Sequence, residues 1–236
     1  MQKGKLSTDA YKGVRDFYPE DEAVQKYLFS TMRDVVEKFG YAEYHASILE
    51  PAELYRGKTS EEIVNEQTYT FVDRGEREVT LRPEMTPTVA RMIAAKRREL
   101  SFPTRWYSIP NVFRYERPQR GRLREHWQLN VDLFGSSSLE ADAEIISIAY
   151  AMMKAFGAND DDFEIRIGSR VFLNSIISTV LAADQGKKLL GLLDRRAKMP
   201  AVEFDTELQK LGVSSEKFSS SPVPPDASGL LSLLKN

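Results

Sequence analysis

The chain has 236 residues, 42% of them hydrophobic, a formal net charge of −2 and no cysteine. That composition can bury a sizeable core, but it excludes a disulfide framework, a thiolate metal site and a broadly basic coat for nucleic acid. Two histidines leave little for a zinc site, no long apolar run suits a membrane span, and the first twenty residues are too polar for a secretory signal, so a cytoplasmic location is expected.

Residues 1–10 read as a flexible leader. After YKGVRDFYP (11–19) the spacing predicts a helix over about 21–39, with Val24, Leu28, Met32, Val35 and Phe39 on one stripe and Gly40 able to end it. YAEYHASILEP (41–51) reads as extended and stops at Pro51. His45 within it has no acidic or histidine partner at ligand spacing and reads as structural. A polar, partly helical connection follows. Residues 68–72 and 78–81 then form a predicted hairpin around Asp73, Arg74, Gly75 and Glu76, with Gly75 suited to positive φ. The second strand runs into LRPEMTP (81–87). Pro83 and Pro87 forbid a helix interior there, so Glu84, Met85 and Thr86 occupy a rigid turn before a helix through Val89, Met92 and Ile93. A carboxylate and a hydroxyl in such a turn suit an ammonium group. They equally suit a plain helix start, with Thr86 as N-cap and Glu84 favoured by the helix dipole.

The stretch PNVFRYERPQRGRLREHWQLNVDLFG (110–135) reads as two strands and a basic loop. Alternation puts Val112, Arg114 and Glu116 on one face, opposite Phe113 and Tyr115. In the second strand Trp127, Leu129, Val131 and Leu133 oppose His126, Gln128, Asn130 and Asp132. The loop RPQRGRLR carries four arginines in eight residues, and Gly121 lets it bend. Guanidinium groups beside carboxylates and amides suit a ligand that is anionic at one end and polar or cationic at the other. The same residues also suit a solvated sheet face with a soluble loop, and His126 suits a structural or rim position. Next comes a helix with Ser137 and Glu140 at capping-box spacing, a core face of Ile145, Ile148, Ala149, Met152 and Phe156, and Gly157 at its end. Residues 162–167 read as a strand and 171–181 as a helix. Short helical pieces follow Gly186, and SSSPVPPDASG (219–229) reads as a linker.

FRYERPQRGRLREHWQ (113–128) resembles motif 2 of the class II aminoacyl-tRNA synthetases in its histidyl-tRNA synthetase form. RPEMT (82–86) resembles that family's R-P-E-x-T amino-acid-binding turn, and G-x-R-D-F (13–17) with its long helix, strand and proline resembles motif 1, the family's dimer element. The resemblance covers about residues 9–175. It implies an α+β fold, an antiparallel β-sheet flanked by helices, with the class II core over 11–185 and the start of a helical insertion plus linker over 186–236. The family's G-G-x-R-Y-D motif, motif 3 arginine and anticodon-binding domain do not occur here, so the chain is expected to be the N-terminal part of a longer enzyme.

The implied reaction is activation of histidine by ATP to histidyl adenylate, followed by transfer to histidine tRNA, in a homodimer. The resemblance assigns Arg114 as the catalytic residue, on the substrate carboxylate and α-phosphate, and Glu116 to the adenine amino group. It assigns Arg122 and Arg124, with Arg120 less firmly, to the distal phosphates or the tRNA acceptor end. The turn residues Glu84, Met85 and Thr86, with Gln128, line the amino-acid site; Glu84, Thr86 and Gln128 hold the α-ammonium and Asp132 reads the imidazole. Mg²⁺ is implied on the phosphates. Two other readings stay open: the family's paralogue that serves as regulatory subunit of ATP phosphoribosyltransferase, which binds histidine without tRNA, and a bare dimerisation module.

Overall fold

A computed structural model describes residues 7–56, 67–115, 121–169, 171, 174–175, 177, 183–196 and 199–211. The chain divides into two compact units, Met1–Ile165 and Arg166–Asn236. In the first, helix α1 (Pro19–Lys38) starts with Pro19 and three acidic residues in its first turn and ends with Lys38, which places charge favourably along the helix dipole. It is followed by β1 (Ala42–Glu43), β2 (Leu49–Pro51), the short α2 (Glu53–Arg56), and the hairpin β3 (Tyr69–Val72) and β4 (Glu78–Leu81). Then come α3 (Thr86–Lys96), β5 (Thr104–Ser108), β6 (Asn111–Phe113), β7 (Glu125–Trp127), β8 (Asn130–Phe134) and α4 (Leu139–Ala155).

The central sheet has the order β1-β5-β8, with β1 parallel to β5 and β5 antiparallel to β8; β2-β4-β3 and β6-β7 are antiparallel. One face of the central sheet meets α1 and α4 through Val36, Tyr41, Tyr107 and Ile148, joined by Val131 and Leu133. Its other face, carrying Tyr44, Trp106 and Phe134, packs on Met85, Val89 and Ile93 of α3 and the turn before it. Polar struts fix the helix layer: Arg105 pairs with Glu144 through two bonds of 2.7 and 2.8 Å, and Tyr41 donates to the same carboxylate at 2.8 Å.

Several expectations change in detail. The predicted strand 125–134 is two strands in different sheets. Pro110 has no N–H, so the ladder breaks opposite it, and Gln128 N–H donates instead to the Pro110 carbonyl at 3.1 Å. The register is the same on both sides of the break, Ser108 opposite Asn130 and Asn111 opposite Trp127, so the alternation of faces survives the bend. In the β3–β4 hairpin the left-handed residue is Glu76 (φ 59°), not Gly75. Asp73 Oδ1 accepts from the N–H groups of Gly75 and Arg77 and winds the turn so that the fourth residue takes positive φ. The N-cap of α4 is Ser138, which accepts from Ala141 N–H, rather than Ser137. The expected strand 162–167 opens as a 3₁₀ turn (Asp160–Asp162) and pairs with no strand among the described residues.

In the second unit, α5 (Ala183–Arg195) and α6 (Ala201–Lys210) pack through Leu189, Leu192, Phe204 and Leu208 with Ile177. The expected helix 171–181 is described only at 171, 174, 175 and 177, all helical, and the expected linker lies outside the described residues. No helix among the described residues is long and apolar enough to cross a membrane.

Candidate functional site

The turn after β4 is held by Arg82. Its side chain is buried, and its guanidinium donates to the carbonyls of Ala46 (2.8 Å) and Asn111 (2.9 Å) and to Asn111 Oδ1 (3.1 Å). A buried guanidinium needs such acceptors to offset its desolvation, and burial lowers its pKa from the ordinary value. Arg82 therefore staples the turn to the β1–β2 connection and to β6. Tyr55 braces it from below, its hydroxyl 2.9 Å from Thr88 Oγ1 and 3.4 Å from the Glu84 carbonyl.

Arg114 meets this turn directly. Phe113 N–H donates to the Arg82 carbonyl at 3.0 Å, and Arg114 Nε donates to the Pro83 carbonyl at 2.9 Å. The guanidinium is thus fixed one residue from Glu84, which is half-buried, while Thr86 is exposed. Met85 is different: its side chain is fully buried in the core with Tyr44, Val89 and Ile93, which leaves only its backbone to face a ligand.

On the sheet, Asp132 lies opposite Trp106, on the face of β5 and β8 that meets the α3 side. Its Oδ2 is buried without a hydrogen-bond partner, and desolvation pushes the carboxyl above its ordinary pKa. Gln128, at the bend, has its amide 3.3 Å from the His126 ring. His126 is therefore a neighbour of a proposed ligand residue, as a structural or rim histidine would be.

Arg122 is exposed. Arg124, expected beside it on the phosphates, is only 7% exposed. Its guanidinium stacks 4.0 Å from the Tyr115 ring and donates to the Lys12 carbonyl (3.2 Å) and Tyr11 Oη (3.3 Å), while its backbone N–H bonds the Gly13 carbonyl. Here Arg124 ties the N-terminal segment to the end of the basic loop. Glu116 and Arg120 lie outside the described residues.

Three side chains that sequence reasoning did not single out belong to this region: Arg82, Tyr44 and Ser108. Arg82 was inside the quoted R-P-E-x-T match. Ser108 alternates with Trp106 on β5, and Tyr44 extends β1 alongside it, donating its N–H to the Tyr107 carbonyl at 2.9 Å. A cavity of about 500 Å³ lies elsewhere, between β2, α2 and the β3–β4 turn. Within its charged lining Arg56 pairs with Glu78 and Arg77 with Asp73, and Glu50 pairs with Arg91 from outside it.

The histidyl-tRNA synthetase family model matches residues 13–217. The histidine–tRNA ligase of Leptospira biflexa serovar Patoc is 51% identical over 206 residues, covering 86% of this chain and 47% of that protein. The histidine–tRNA ligase of Thermoplasma volcanium is 44% identical over 211 residues, covering 89% and 49%. Among solved structures, the histidyl-tRNA synthetase from Nostoc sp. PCC 7120 matches with a TM-score of 0.70 at 26% identity, over 87% of this chain and 47% of that one. A Bacillus halodurans C structure described as an ATP phosphoribosyltransferase regulatory subunit/histidyl-tRNA synthetase matches with a TM-score of 0.75 at 25% identity, over 89% and 53%. The chain spans about half the length of the curated relatives it matches. With the R-P-E-x-T turn fixed against the motif 2 arginine and the family model covering most of its length, this chain belongs to the histidyl-tRNA synthetase family.

Proposed function

We propose that this chain supplies the histidine- and ATP-binding part of a histidine–tRNA ligase. The observation that carries the reading is the direct bond from Arg114 to the R-P-E-x-T turn, which would set a fixed guanidinium beside the α-ammonium site of Glu84, Thr86 and Gln128. Asp132, buried with an unpaired oxygen, would accept from the imidazole N–H. The substrate carboxylate would attack the α-phosphorus of ATP; one P–O bond forms, the bond to pyrophosphate breaks, and histidyl adenylate results. Arg114 would face negative charge that grows in that step. Glu116 would take the adenine amino group and Arg122 the distal phosphates. Arg124 would shape the loop from its Tyr11–Tyr115 cage and reach nucleotide only by leaving it.

Among the described residues no group of three or more histidine, aspartate or glutamate side chains could hold a metal ion. Mg²⁺ bound to the nucleotide would spread its phosphate charge, and no step is assigned to it. A homodimer and a cytoplasmic setting go with this reading. The dimer is supported by apolar side chains left exposed on α1, Val24, Tyr27 and Leu28, in the segment that resembles motif 1. The regulatory-subunit reading shares the fold, as the Bacillus halodurans neighbour's description shows for that protein. Relatives described as histidine–tRNA ligases favour the synthetase.

The test is amino-acid-dependent ATP–pyrophosphate exchange by the protein at its full encoded length. Exchange with histidine and with no other standard amino acid is expected. Histidine binding with no exchange would favour the regulatory reading.

A further inference from the structure

Among the described residues, four buried side-chain oxygens have no hydrogen-bond partner: Tyr44 Oη, Tyr69 Oη, Ser108 Oγ and Asp132 Oδ2. Native interiors leave few such groups, because each costs its desolvation without a return. Tyr69 stands apart, on β3 against Phe113 and Tyr115 with the Arg124 charge beside it. The other three belong together. Asp132 is opposite Trp106, Ser108 is two residues along β5 on the same face, and Tyr44 continues β1 beside Ser108. Tyr44 is 9% exposed and Ser108 3%.

Their chemistry is complementary. An ionised Asp132 only accepts hydrogen bonds, whereas two hydroxyls can donate. The Tyr44 phenol is pushed up to about 12, by burial first and with the Asp132 charge adding to it, so it keeps its proton. Ser108 is close enough to draw that value down, second only to burial among the influences on it, but the two hydroxyls do not meet hydrogen-bond geometry. The nearby cation does not supply the missing partner: Arg82 acts on Tyr44 electrostatically, yet its guanidinium is engaged by Ala46 and Asn111. Diagonal neighbours on adjacent antiparallel strands stand about 7–8 Å apart, too far for Ser108 and Asp132 to meet without a bridging water, while the long Tyr44 side chain can reach.

We propose that Tyr44 and Ser108 are positioning residues of the histidine pocket: their hydroxyls hold Asp132 Oδ2, directly or through one water, so that the other carboxylate oxygen is aimed at the substrate's imidazole N–H. This rests on the histidine reading above. The three groups, which no protein partner satisfies, are drawn together when the ring enters. A set of mere packing defects would sit on the same residues but would have no effect on substrate.

The experiment is a double-mutant cycle in the full-length protein, read by histidine-dependent ATP–pyrophosphate exchange, with melting temperature measured without ligand. Tyr44→Phe is expected to raise the KM for histidine about tenfold and Ser108→Ala a few-fold, the loss of one hydrogen bond to a charged group, with kcat and the KM for ATP changing much less. In an Asp132→Asn background, Tyr44→Phe should add little, because it acts through the carboxylate. The unliganded melting temperature of Tyr44→Phe should not fall, since an unpaired buried hydroxyl has been removed. An unchanged histidine KM in both single variants, or full additivity in the cycle, overturns the proposal and leaves the histidine reading intact. Absence of histidine-dependent exchange by the parent protein overturns that reading itself.

Discussion

Arg114 shows how far a single residue's place in the backbone defines its chemistry. Its Nε is spent on the Pro83 carbonyl, which leaves the two terminal nitrogens of the guanidinium to meet an anion while the group as a whole cannot swing away. A donor fixed before the reaction stabilises charge that develops in the transition state at little reorganisation cost. Arg114→Ala is therefore expected to lower histidine-dependent exchange by about 10²–10³-fold, with histidine affinity changing much less. Arg114→Lys should restore only part of it, because an ammonium cannot bond the Pro83 carbonyl and an anion in the same fork. Asp132 carries the opposite lesson. It is unpaired and its pKa is raised by burial, so it detracts from stability as pH rises through the interval above the unfolded carboxylate value, a cost that ligand binding would offset.

Among the elements, the hairpin β5–β6–β7–β8 positions most of the site, and the end of β8 is tightly constrained. Gly135 has φ +86°, and a Cβ there would lie 2.6 Å from the Phe102 ring. Gly135→Ala should destabilise the fold by about 1–3 kcal/mol through backbone strain and overpacking, measured by denaturant unfolding with an unchanged m-value. Much of this hairpin was legible in the sequence, because a period of two assigns faces without any knowledge of partners. The residues 126, 128, 130 and 132 keep the face assigned to them even though Pro110 splits their strand, since the register runs through the break. What was not legible needed long-range information. The burial of Arg124 depends on Tyr11, 113 positions away in sequence, and the role of Arg82 depends on carbonyls from the β1–β2 connection and from β6. The orphaned hydroxyls of Tyr44 and Ser108 arise from a parallel pairing of β1 with β5 that no local pattern announces. Turn chemistry was misread for a smaller reason: Asp73 decides which residue of its turn becomes left-handed, and it selects Glu76 over the adjacent glycine.

At the scale of the whole molecule, α1 turns Val35 and Val36 into the core while Val24, Tyr27 and Leu28 remain exposed. Side chains of that size on one helix are expected to be covered by a second copy, so sedimentation at tens of micromolar should give a dimer mass, and Leu28→Glu should shift it toward monomer; a monomer mass for the parent protein would contradict the dimer. In the proposed histidine pocket Glu84 takes the ammonium end and Asp132 the imidazole end. Calorimetric titration of histidine into the full-length protein tests that account most directly. Glu84→Ala and Asp132→Ala should each weaken binding about 10- to 100-fold, as expected for the loss of one charge-assisted hydrogen bond. Unchanged histidine affinity in both variants would contradict the assignment of the pocket.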